Sequence, residues 1–291
     1  MKTNLLIIGF FFLQVSCASQ KVVAPQFSNV KLGTWTVTNQ LKNDGVILIP
    51  QWHLSPGATP KENAAVPQEV NQRAIYLQLS SWISEHTFDA MVAEGCEGNI
   101  EAQAEKKFNG YSIDDLRSEL RKQKDIEPIL APVAFKVDAK FSKDVKVACG
   151  DNEKLIAENQ LALSNLRGLA GFKLRIEQLS LSKLDRESYI HGAAEVLHLP
   201  KGAADSVVVE KLNAEIKKSI AEFENAIHRR DENFVAETQK LKGIKVLVVG
   251  SLHISDLQIL LLEKNIPFSI WTPVGLNDQD AQLVEQLKAR L

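Results

Sequence analysis

Short unbroken apolar runs alternate along this chain with longer stretches whose apolar residues recur every three or four positions. Val46-Ile-Leu-Ile-Pro50, Asp89-Ala-Met-Val-Ala-Glu94, Val145 to Cys149, Val246-Leu-Val-Val249 and Phe268-Ser-Ile-Trp271 are of the first kind. Runs this short and this apolar predict strands buried on both faces, as parallel sheets require. Lys31 to Val37, with Trp35, predicts a short edge strand or hairpin ahead of them. The second kind predicts helices. One runs from Gln68 to about Glu85 with Val70, Ile75, Leu79, Trp82 and Ile83 inward, and another closes the chain from Asp278 to Leu291. Ser112 and Asp115 stand at capping-box spacing and open a helix from Ile113 to Lys124. Residues 153–241 are helical throughout, broken at Pro200-Lys-Gly202 and ending in one long helix from Asp205 to Leu241. Ser55 to Pro67, with three prolines, is an irregular loop. Strands alternating with helices predict an α/β fold: a mainly parallel β-sheet flanked by helices, with a large helical insertion between the third and fourth central strands.

The full chain is 45% hydrophobic, and its stretch 29–291 can bury a full core and reads as a single domain. A net charge of -2 supplies no electrostatic reason for a nucleic-acid partner. The amino terminus is different in kind. Lys2 precedes an apolar stretch, Leu5 to Val15, too short for an ordinary transmembrane helix, and this ends at Val15-Ser16-Cys17-Ala18. The arrangement resembles a bacterial lipoprotein signal of residues 1–16, although Gln14 stands where such signals carry Leu. It implies a lipid on Cys17, a tether over 17–28, and a protein anchored in the bacterial cell envelope, facing the periplasm or the surface. Simple secretion is the alternative. Export leaves Cys96 and Cys149 in the mature domain, where an oxidising compartment lets them pair in a disulfide. Two buried free thiols are the competing reading, and metal ligation by either cysteine is the weakest.

Titratable residues collect where the strands end: His53, Glu94, Asp151 and His253. Parallel strands bring their carboxyl ends to one edge, and open α/β sheets bind ligands there. Two imidazoles and a carboxylate suit an open divalent-metal site, which makes His53, Glu94 and His253 candidate ligands for Mn, Co, Fe or Zn. The same trio without metal can run general acid–base hydrolysis. Each histidine taken alone reads as a hydrogen-bonded core or loop residue; the convergence of four such groups is what points to a site. Gly250 is expected to permit a tight turn and Ser255 to cap a helix over Asp256 to Lys264. His253, in the loop between, is expected to contribute little packing. His86, His191, His198 and His228 read as surface or capping residues.

These elements, in this order, resemble the TraB/GumN superfamily, which takes in Tiki-type metalloproteases, haem-binding ChaN lipoproteins and erythromycin esterases. Its pattern is a strand ending in Gly-x-x-His, a strand ending in Glu, an Arg-Asn or Arg-Asp pair on a late helix, and a second Gly-x-x-His strand. Here the matching residues are Pro50-Gln-Trp-His53, Val92-Ala-Glu94-Gly95, Arg230-Asp231 followed by Phe234, and Gly250-Ser-Leu-His253. The resemblance spans residues 45–275 and departs from the pattern at Pro50, where Gly is usual. It implies a hydrolase of peptide or ester bonds, acting on a peptide or small-molecule substrate, with His53, Glu94, Arg230 and His253 catalytic. Arg230 would reach into the site as a fixed cation for a substrate carboxylate or an oxyanion. On the residues alone, Arg229-Arg230-Asp231-Glu232 reads as a solvated charge run on a helix. The alternative that the resemblance implies is an envelope lipoprotein of the ChaN kind, binding haem or a metal without catalysis. Haem would need an exposed axial His or Tyr and an apolar platform, and no spacing singles out Tyr76, Tyr111 or Tyr189.

Overall fold

Six strands, β1 (Gly33–Val37), β2 (Gly45–Gln51), β3 (Ala90–Ala93), β4 (Lys146–Cys149), β5 (Ile244–Gly250) and β6 (Phe268–Pro273), form one sheet in the order β1-β6-β2-β5-β3-β4. The structure is a computed structural model and describes residues 31–39, 41, 43–53, 66–107, 114, 115, 117, 118, 132–178, 182–277 and 279–291. The expected signal segment, Cys17 and the tether lie outside the described residues, as do most of the loop after His53 and most of the helix expected from Ile113 to Lys124. Every pairing among β2 to β6 is parallel, and β1 joins the edge antiparallel to β6. The α/β class, the parallel sheet and the edge position of β1 are as the apolar pattern predicts.

The strands are apolar throughout because both faces are covered. Ile47, Ile49, Met91, Ala93, Val246 and Val248 pack on one side against α1 (Val66–Ser84) and, past α2 (Ile100–Lys107), α3 (Val133–Phe141). The alternate residues Val46, Leu48, Val92, Leu247 and Val249 face the other core. That face is covered by α6 (Asp205–Gln239), through Phe234 and Val235, and by α7 (Ile254–Glu263), through Leu257, Leu260 and Leu261. The split follows the two-residue period of a strand.

Between β4 and β5 run α4 (Glu153–Ile176), α5 (Lys183–Val196) and α6. These build a core of their own around Leu166, Ile190, Leu212, Ile216 and Phe223, and α8 (Gln279–Ala289) closes it with Val284 and Leu287. The long α6 belongs to both cores, Ile216 and Phe223 to one and Phe234 to the other. The insertion is therefore a packed layer joined to the sheet by one continuous helix. Among the described residues no helix is long and apolar enough to cross a membrane.

Pro50 sits inside β2 without disrupting it. Pairing of β2 with β6 extends over Val46, Ile47 and Leu48, whereas pairing with β5 continues to Gln51. Pro50 thus lies beyond the β6 ladder, where one side of the strand needs no donor and a proline is tolerated.

Candidate functional site

The carboxyl ends of β2, β3, β4 and β5 bring His53, Glu94, Asp151 and His253 to one edge, as their positions in sequence predict. Glu94, the residue after β3, is at the centre. Its Oε2 accepts the backbone N–H of Gly250 at 2.6 Å and lies 3.1 Å from His53 Nε2. Its Oε1 accepts from Arg230 Nη2 at 2.8 Å and lies 3.3 Å from His253 Nε2. The Glu94 side chain is 5% exposed and that of His53 55%, so within this pair the solvent-facing member is His53.

Arg230 comes from α6, and the apolar stripe of that helix carries it inward: Ile216, Ile220, Phe223, Ile227, Asp231 and Phe234 are buried beside it. Its guanidinium grips Asp151 with two bonds, Nε to Oδ1 at 3.2 Å and Nη2 to Oδ2 at 2.5 Å. Nη1 donates to Asn159 of α4 at 3.1 Å and lies 3.3 Å from His253 Nε2. Asp151 also accepts the backbone N–H of Gly95 at 3.0 Å. Arg230 is consequently a buried member of the protein's own ion network, with its donors directed at Asp151, Glu94 and Asn159 and its guanidinium alongside the His253 ring. The expected picture of a cation reaching for a substrate gives way to one that holds Glu94 and Asp151 together.

His253 ends a 3-10 turn (Ser251–His253) that leads directly into α7. It is buried, its ring meets Phe234 edge-on at 5.4 Å, and Nδ1 lies 2.6 Å from Asp231 Oδ1. The expected loop residue with little packing is thus a core residue. Nor does Ser255 cap α7, because the 3-10 turn runs into it and His253 holds the N-cap position without a side-chain bond. His228, expected at the surface, pairs its Nδ1 with Asp256 Oδ2 at 2.8 Å while remaining partly exposed.

Gly250 has an ordinary φ of -54°, so no positive-φ turn requires it. Space does: a Cβ there would sit 2.8 Å from His53 Nε2 and 3.6 Å from Glu94 Oε2. Glycine is needed at this point because an imidazole lies against the backbone. The equivalent place in the first motif, Pro50, meets no such demand, since it continues an extended strand.

Charges decide the protonation states. Burial alone would push the Glu94 carboxyl up, but His53, His253 and Arg230 surround it and hold it well below the usual carboxylate range. Burial likewise opposes a charge on His253, yet Glu94 and Asp231 outweigh it and raise the imidazole to about 9. For His53, lost hydration on the side of the ring that meets Glu94 is outweighed by the carboxylate, and the value is raised. Asp231 is pushed up to about 7 by burial, against the pull of its His253 partner. At neutral pH the edge therefore holds an ionised Glu94 between Arg230 and a protonated His253.

The donor set has been arranged for cations that the protein itself supplies. Both Glu94 oxygens are taken up by Gly250, His53, Arg230 and His253, and a guanidinium stands beside the carboxylate and imidazole that a metal would need to share. Among the described residues no group of three or more His, Cys, Asp or Glu is placed to hold a metal ion. As arranged, His53, Glu94 and His253 do not fit a divalent metal, because it would displace or abut Arg230. Cys96 and Cys149, left open between bridge and free thiols, form a disulfide joining the ends of β3 and β4.

Comparison with family models, with curated proteins and with solved structures finds no match to this chain. One partner of the site, Asn159, was not foreseen. Asn159 had a signal: it interrupts the apolar stripe of α4 between Leu155, Ile156 and Leu163, and a polar residue on a buried stripe needs a partner.

Proposed function

We propose that the chain is an exported, lipid-anchored hydrolase of the TraB/GumN type in which His53 and Glu94 activate water without a metal. The observation that carries this reading is the contrast within the pair, a solvent-facing imidazole backed by a buried, ionised carboxylate. In the reaction, neutral His53 takes a proton from water as the oxygen attacks the carbonyl carbon of an ester or amide. Glu94 stabilises the imidazolium, which then returns the proton to the departing alcohol or amine. Arg230 and His253 keep Glu94 ionised and oriented, so their contribution is made through that carboxylate. The carbonyl class of substrate comes from the motif resemblance and from the fitness of a general base for that chemistry.

The test is hydrolysis of a panel of 4-nitrophenyl esters and fluorogenic peptides by the wild type and by His53→Gln. Metal analysis and an absorption spectrum are taken on the same preparations, purified without chelator. Turnover that vanishes in the variant, on protein carrying neither stoichiometric metal nor haem, supports the reading. Turnover unchanged in the variant would refute it. Stoichiometric Mn, Co, Fe or Zn lost in the variant would replace it with a metal site, and a Soret band with a haem-binding protein.

A further inference from the structure

Asp151 is delivered to Arg230 from an edge of the sheet. β4 is an edge strand of four residues, paired on one side only, to β3. Beyond the last register pair, Ala93 with Cys149, the two chains are joined by three hydrogen bonds next to the pair, and further out the Glu97 carboxylate accepts from Asn152 Nδ2 at 3.1 Å and from the Glu153 N–H at 2.7 Å. Gly150 N–H donates to Ala93 O at 2.9 Å, Asp151 N–H to Cys96 O at 3.1 Å, and Gly95 N–H to Asp151 Oδ2 at 3.0 Å. An edge of this length frays readily, because each of its bonds is next to an end. Yet it holds a carboxylate that must stay against a buried guanidinium.

The disulfide lies inside this junction. Cys96 is two residues past Glu94, Cys149 two residues before Asp151, and their Cα atoms are 5.0 Å apart. Each half of the bridge is therefore separated by a single glycine from a carboxylate that Arg230 holds. The covalent loop runs from one arm of the Arg230 clamp to the other: Glu94-Gly95-Cys96, the bridge, then Cys149-Gly150-Asp151.

We infer that the Cys96–Cys149 disulfide is a positioning element of the site, pinning the β4 end so that Asp151 keeps Arg230 on Glu94. Its effect on turnover rests on the hydrolase reading above; its effect on the clamp does not. With the bridge removed, the junction opens more often, Arg230 loses its two bonds to Asp151 during each opening, and Glu94 loses the constraint that orients it towards His53. A bridge closing a chain separation of 53 residues also stabilises the fold globally by restricting the unfolded chain. The two roles separate in experiment, because a global staple affects every part of the fold alike.

The measurement is hydrogen exchange of the Arg230 Nε–H by NMR, beside the backbone amides of β5, in the wild type and in Cys96→Ala/Cys149→Ala. Leu212→Ala, in the helical core away from the junction, supplies a destabilised control with the bridge intact. The expected result is Arg230 Nε–H exchange faster by at least about tenfold in the double variant, with β5 amides protected as in the Leu212→Ala control, since local opening is separable from global unfolding. Exchange of Arg230 that changes only in step with β5 would overturn the inference and leave a simple staple. Should the double variant not fold, the wild type is reduced with tris(2-carboxyethyl)phosphine, alkylated and measured in the same way. Loss of β5 protection there too would equally reject a positioning role. An ester probe then reads the consequence: kcat falls while KM holds, because orientation and not binding is lost. If the wild type shows no turnover at all, the hydrolase reading fails while the exchange data still decide the role of the bridge.

Discussion

His53 and Glu94 share one short contact, Nε2 to Oε2 at 3.1 Å, across a boundary between water and core: the imidazole is 55% exposed and the carboxylate 5%. A base that must exchange protons with a substrate needs the first property, and a group that must hold the resulting charge needs the second. Replacing His53 by Gln removes the base and leaves a polar side chain at an exposed position. Turnover should fall by about 10²- to 10⁴-fold, the usual range for loss of general acid–base catalysis. Because little packing is lost, the melting temperature should stay close to that of the wild type. A thermal scan beside the ester assay checks both halves.

Arg230 carries the opposite expectation. It is buried with Glu94, Asp151 and His253 around it, so Arg230→Met takes from Asp151 the cation that grips it and leaves Glu94 with His253 as its buried cation. Breaking a buried ion pair on one side costs about 3–5 kcal/mol, and denaturant unfolding should show a loss of that size. Combining it with Asp151→Asn removes that stranded charge and should recover part of the loss. A double variant no more stable than Arg230→Met alone would mean that Asp151 is not held by this charge.

The strand positions and the edge they share were legible because a two-residue period and unbroken apolar runs have few other meanings, and His53, Glu94, Asp151 and His253 follow from them. Arg230 was readable in principle. Read as a block, Arg229 to Glu232 is a charge run; read at helical spacing, Arg230 and Asp231 continue the buried stripe of Phe223, Ile227 and Phe234. Only Arg229 and Glu232 lie on the outer side, Arg229 pairing with Glu158. The burial of His253 was not legible, because it depends on a 3-10 turn tucking the side chain beneath α6, and no local pattern announces that. The role of Gly250 was hidden for a similar reason: the group that forbids a side chain there lies almost 200 residues away in sequence.

Stability should depend on pH through His253. Its folded value is raised from 6.5 to about 9, so its contribution is complete below about pH 6.5 and is lost as the pH climbs through 9. At the limit of the full shift this amounts to about 3 kcal/mol. Lys136, buried and lowered from 10.5 to about 8, works the other way above pH 8, where its neutral form suits the core. The two are separated by difference. Because Asp231, raised to about 7, titrates in the same window, the comparison is made without it: unfolding free energies measured at pH 6.5, 7.5 and 9 should decline in Asp231→Asn relative to Asp231→Asn/His253→Asn, which lacks the imidazole but keeps Lys136. Parallel curves for the two proteins would show that His253 is not charged in the folded state.

Gly250→Ala makes the sharpest demand on the site, because it adds one methyl group and removes no functional atom. The new Cβ would stand 2.8 Å from His53 Nε2, closer than real carbon contacts allow, and 3.6 Å from Glu94 Oε2. The backbone can accept alanine, since φ is -54° and the preceding strand is regular. What must give way is the half-exposed imidazole, which has solvent to move into. The Gly250 N–H need not move and still serves Glu94. Overpacking of this kind costs about 1–3 kcal/mol in a sealed core and less where a neighbour can swing aside. The variant should therefore fold with a melting temperature near that of the wild type while hydrolysis drops by at least about tenfold, through loss of the His53–Glu94 contact that fixes the base. Imidazole NMR gives the independent check: the raised titration of His53 should relax towards the ordinary histidine value once Glu94 is out of reach. Full activity in folded Gly250→Ala would mean that the contact between His53 and Glu94 is not the working arrangement.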